Sequence, residues 1–214
     1  MGKQVGGLFA NWYGKVGNVV GRIRQNRTIV SIYQPNVANP RSDAQVDQRA
    51  KFSLLAAALS HCSGFLKYGF HDLDGYKTGN YYSAAIGYNM KLDGIFTGES
   101  PDYELDYGKI VMSQGNVDLP YSPSASAEGA TVTFTWSDNS GMGNALASDK
   151  IAVLAYNPTK GQSVYNPELA DRSERNGTLA LPTAWVGDTV MVYLAVFRKL
   201  GECSMSTELA ALPL

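Results

Sequence analysis

Trp12, Tyr13, Arg22, Arg24 and Arg27 bring two aromatic rings and three guanidinium groups into one short N-terminal stretch. Such a set can contact phosphates and stack on bases. It can equally anchor a protein interface, where Trp, Tyr and Arg are enriched. Arg41 and Arg49 follow within NPRSDAQVDQRAKF (Asn39–Phe52) and are placed to pair with carboxylates. These seven residues form the expected partner-binding set, with protein as the favoured partner because the chain as a whole carries net charge −1.

Other chemistry-bearing patterns do not complete a site. GKVGNVVG lacks both the GK[ST] ending of a phosphate loop and the GxGxxG spacing of a dinucleotide fold. Gly14-Lys15-Val16-Gly17 matches the short GxxG of an RNA-binding KH loop, but it equally suits a tight turn between strands. His71-Asp72-Leu73-Asp74-Gly75 resembles the start of a calcium loop, yet its twelfth position from Asp72 is Ser83 rather than Glu. His61 falls inside an expected helix, and neither Cys62 nor Cys203 belongs to a CxxC or has an obvious histidine partner in sequence. Asp138, Asn139 and Asp149 flank GMGNALAS and read as turn formers. No catalytic residue, metal ligand or cofactor is therefore expected, and both cysteines are expected as free thiols.

Charge is unevenly distributed. Residues 1–51 hold eight basic and two acidic side chains, a balance of +6, whereas residues 52–214 balance at −7. This asymmetry fits an arm that docks on an acidic partner, or one attracted to its own acidic body. The chain has 44% hydrophobic and 17% charged residues and no continuous apolar window of membrane-spanning length, and its opening residues lack the apolar core of a secretory signal, so no leader is expected. The expected location is a virion assembled in the host cytoplasm, or otherwise the cytoplasm, without membrane contact.

The elements that must position these side chains follow from pattern. RIRQNRTIVSIYQP reads as two strands around Gln25-Asn26, closed by Pro35. Ser42 and Gln45 have capping-box spacing, and Asp43 adds first-turn charge. Phe52, Leu55, Leu59, Cys62 and Leu66 then form one apolar stripe, predicting a helix over about 43–63 that stops near Gly64. A second helix is expected around Tyr81–Lys91. Strands are expected in LDYGKIVMSQGNV, ATVTFTWSDNSG, DKIAVLAYN, GTLALP and DTVMVYLAVF, with Pro120 and Pro123 among the turn signals between them. Trp136, Tyr193 and Phe197 are the expected core aromatics.

The combination G-x-x-G-x-x-x-G-R (Gly14–Arg22) and NPRSDAQ-x-x-QR-x-F (Asn39–Phe52) resembles the N-terminal signature of a family of uncharacterised Bacteroidetes proteins. The likeness continues through YYSAAIGYNMK, Tyr103–Tyr107, TWSDNSG, Ser148–Lys150 and DTVMVYLAVF. It implies no catalytic residues. It does imply genomes rich in prophages and similarity to phage structural proteins that begin with a basic arm and a helix.

Together these readings predict an α+β chain: a basic glycine-rich β-hairpin arm over 1–38, a helical region over 39–100, and an immunoglobulin- or fibronectin-like β-sandwich over 101–214. The expected role is a non-enzymatic structural component of a virion or phage-like particle, such as a decoration, vertex or tail-associated protein. Its partners would be other particle proteins or further copies of itself. The alternatives are a cytoplasmic protein- or carbohydrate-binding module and a nucleic-acid-binding protein working through the arm.

Overall fold

The computed structural model describes residues 3–4, 12–24, 27–36, 41–71, 80–199 and 202–214. It divides into two compact units, residues 1–42 and 43–214. Helices and antiparallel sheets occur together, giving an α+β protein.

The first unit is a sheet of β1 (Lys3–Gln4), β2 (Gly14–Val16), β3 (Val19–Arg24) and β4 (Arg27–Ile32), in the order β1-β4-β3-β2. Its central pair is the expected hairpin, with Arg24 opposite Arg27 and Val19 opposite Ile32. The Gln25-Asn26 turn lies outside the described residues.

The second unit begins with α1 (Asp43–His61), α2 (Ser63–Gly69) and α3 (Tyr81–Asn89). The break after α1 falls at Cys62, and Gly64 lies within α2 rather than ending a helix. A Cβ on Gly64 would stand 2.5–2.7 Å from the Tyr165 ring, so this glycine admits a close aromatic neighbour. Leu55, Leu59, Cys62 and Leu66 are fully buried as the stripe requires, but Phe52 is exposed. Gln45 Oε1 is buried and accepts no hydrogen bond among the described residues, so the expected capping box with Ser42 is not closed. Asn80 caps α3 through Ser83 N at 3.3 Å.

After a short hairpin of β5 (Phe96–Glu99) and β6 (Asp102–Leu105), two larger sheets follow. One contains β7 (Tyr121–Glu128), β8 (Thr131–Ser137) and β11 (Asn176–Ala180), with β8 central. The other contains β9 (Lys150–Asn157), β10 (Gln162–Asp171), β12 (Thr189–Lys199), β13 (Glu202–Cys203) and β14 (Thr207–Pro213). In it β12 pairs with β9 on one side and with β13 and β14 on the other.

β9 and β12 are buried on both faces, which explains their nearly continuous apolar runs. Ala152, Leu154, Tyr156, Tyr193, Ala195 and Phe197 join the helical residues Leu55, Leu59, Phe65 and Leu66 in one core cluster. The alternate residues Ile151, Val153, Ala155, Val190, Val192, Leu194 and Val196 join Val132, Phe134, Trp136 and Leu179 of the three-stranded sheet in another. The expected core aromatics are all buried, but they divide between these clusters.

The expected strand over LDYGKIVMSQGNV is absent. Tyr107–Lys109 forms a single 3-10 turn, and the backbone beyond it is held by side chains. Val111 N donates to Asn89 Oδ1 at 2.8 Å, and Met112 N to Ser206 Oγ at 2.7 Å. With those donors occupied the segment joins no ladder. Pro123 does not separate strands either: it lies inside β7, where the register shifts between Tyr121 and Ser124. β7 ends its sheet's hydrogen-bonded order, the position that tolerates proline at a bulge.

Candidate binding surface

Pairing in the N-terminal sheet sorts its side chains by face. Residues directly opposite one another in an antiparallel pair share a side, and successive residues alternate. Lys15 stands opposite Val20, Val20 opposite Ser31, Arg22 opposite Ile29, and Arg24 opposite Arg27. Lys15, Arg22, Arg24 and Arg27 therefore occupy one face. The Lys15 ammonium lies 3.6 Å from the centroid of the Tyr33 ring. A groove of about 690 Å³ runs along this face between Arg22, Arg24, Val20, Ile29, Ser31 and Tyr33, and Ile32 and Gln34 also border it.

The opposite face is apolar. Val16 stands opposite Val19, Val19 opposite Ile32, and Gly21 opposite Val30. A Cβ on Gly21 would meet the Trp12 carbonyl at 2.7 Å and its ring at 3.0 Å, so glycine permits Trp12 to lie across this face. Around it Val16, Ile23 and Ile32 remain 62%, 48% and 77% exposed.

Of the seven residues expected to bind a partner, Arg22, Arg24 and Arg27 are thus brought together and exposed. Trp12 lies on the other face, half-buried, and Tyr13 is exposed beside it in sequence. Arg41 is exposed just before α1, and Arg49 is exposed on α1 in the second unit. Also in that unit, Gln48 and Phe52 line a groove of about 360 Å³ with Tyr82, Ile86 and Met90.

The second unit contains a charge cluster that sequence reasoning missed. Arg172 and Asp149 are both 0% exposed and paired at 3.1 Å. Arg172 Nη1 donates to Asn139 Oδ1 at 2.6 Å and Nη2 to the Asp118 carbonyl at 2.6 Å, while its buried Nε finds no acceptor among the described residues. Arg198 Nε donates to Asp149 Oδ1 at 2.7 Å, and Leu146 N to Asp149 Oδ2 at 2.9 Å. Burial alone would raise the Asp149 pKa, but hydrogen bonds from Arg198, Leu146 N–H and Arg172 outweigh it and hold the carboxyl below its ordinary value.

This cluster fastens the Asp138–Asp149 loop rather than opening to solvent. Asp138 makes the expected turn, accepting from Ser140 N at 2.9 Å, whereas Asn139 and Asp149 reach inward to the arginines. No sequence signal distinguished Arg172 from a surface arginine. The loop presents exposed Met142 and Leu146, with the Tyr121 hydroxyl 3.6 Å from the Met142 sulfur.

Cys62 and Cys203 are buried thiols outside any disulfide, and burial pushes the Cys62 pKa up to about 12. His61 is exposed at the end of α1, where its carbonyl accepts from Ser163 Oγ at 2.6 Å. Asp72–Gly75 of the calcium-like segment lie outside the described residues. Among the described residues no three His, Cys, Asp or Glu side chains stand close enough to hold a metal ion. Among those residues, too, no helix is long and apolar enough to cross a membrane.

The family of unknown function DUF6266 matches residues 10–205. The chain belongs to that family. The match takes in both the N-terminal sheet from Trp12 onward and most of the second unit. No curated protein gives a significant match.

Proposed function

We propose that this protein is a non-enzymatic structural component of a virion or phage-like particle, docked on neighbouring components through its N-terminal sheet. The observation that carries the reading is the exposed apolar face around Trp12. A four-stranded sheet has too little material to cover both its faces, and Val16, Ile23 and Ile32 leave this one open. A partner protein that covers them gains roughly 25 cal/mol for each Å² of apolar surface removed from water.

The second unit serves as the rigid body in this reading. We take its two larger sheets as an immunoglobulin- or fibronectin-like β-sandwich overlaid by helices. The apolar cluster shared by β8, β9, β11 and β12, with Trp136 inside it, supports that assignment. The buried Asp149–Arg172 pair supports a load-transmitting role over a catalytic one, because its charged groups are sealed against one another.

The test is incorporation into particles in producing cells. The double variant Val16→Ser, Ile23→Ser should remain folded and soluble but be lost from particles. Normal incorporation of that variant contradicts docking through this face. A second reading, a protein-binding module, is favoured by exposed Tyr121, Met142 and Leu146 on the fastened loop. In that case Met142→Ser with Leu146→Ser should abolish partner capture while the sheet variant retains it.

A further inference from the structure

The cationic face of the N-terminal sheet has a chemistry independent of its apolar side. Residues 1–42 contain six basic side chains and no acidic one, so nothing within that unit neutralises Arg22, Arg24 and Arg27. None of the three side chains makes a hydrogen bond or ion pair among the described residues. Strand geometry spaces Arg22 and Arg24 by about 7 Å along β3, and Arg27 stands directly across from Arg24.

We propose that this face binds the sugar–phosphate backbone of a nucleic acid without reading its sequence. Guanidinium forks match phosphate oxygens bidentately, and a regular row of them suits a polymer whose charges repeat regularly. Val20 and Ile29 give the groove an apolar floor between the arginines, against which sugar carbons can pack. One side of the Tyr33 ring already carries the Lys15 ammonium. The ring therefore supports a cation, and phosphate contact rather than base stacking supplies the affinity.

The experiment uses the purified full-length chain and a fluorescein-labelled, mixed-sequence DNA duplex, read by anisotropy across a salt series. Three neutralised phosphates predict a slope of log K against log salt of about −3. Arg22→Ala, Arg24→Ala and Arg27→Ala should each reduce its magnitude by about one. Replacing all three with Lys should retain it, which separates charge from folding. Val16→Ser with Ile23→Ser, both outside the groove lining, should leave it unchanged, so failure here and failure of the particle reading are distinguishable. Absence of binding at low salt, or a slope that survives loss of all three arginines, overturns the proposal. So does displacement of the DNA by poly-glutamate at concentrations where unlabelled DNA does not compete, because that result identifies an acidic protein as the partner.

Discussion

Asp149 and Arg172 concentrate the largest single-residue effects expected in the second unit. Removing one member of a buried ion pair strands the other, so Asp149→Ala should lower unfolding free energy by about 3–5 kcal/mol in denaturant titration. The pH dependence follows from the depressed Asp149 pKa. A carboxyl held lower in the folded state contributes stability that is present above its unfolded value of about 3.9 and is lost as pH falls through the folded value. The stability gap between wild type and Asp149→Asn should therefore be full at neutral pH and shrink at strongly acid pH. A gap that grows on acidification would contradict this assignment. Cys62 gives a second check at this scale: burial keeps its thiol protonated, so a thiol reagent at neutral pH should label it only as the protein unfolds.

At the scale of elements, Gly21 decides whether Trp12 can cover its sheet. Gly21→Ala places a methyl against the Trp12 carbonyl and should destabilise that sheet by about 1–3 kcal/mol. Hydrogen exchange should then quicken in β3 and β4 while β9 and β12, in the other unit, stay protected. Much of this architecture was legible in sequence. Helical spacing announced Leu55, Leu59 and Leu66, and alternation or apolar runs announced β3, β4, β8, β9 and β12. β7 and β10 were not recognised because Pro123 and Pro167 interrupt them, each lying where the register shifts. The run from Leu105 to Val117 looked like a strand because β propensity cannot show that Asn89 and Ser206 capture its backbone donors. For the candidate surface, the arginines were visible as chemistry. Their separation from Trp12 by the thickness of the sheet depends on register, which composition does not contain.

For the whole molecule, a small sheet with one apolar and one cationic face accompanies a larger body with its own core. Membership of the DUF6266 family extends across both units, so the sheet belongs to the shared pattern rather than to this chain alone. In the proposed role the apolar face serves assembly into a particle, the cationic face holds nucleic acid, and the body supplies rigidity. The most direct measurement is density-gradient fractionation of a lysate from producing cells, with this protein quantified by mass spectrometry against the capsid protein. A particle component should comigrate with DNA-containing particles at a fixed ratio to that protein. Recovery solely at the top of the gradient, as a free monomer, would contradict it.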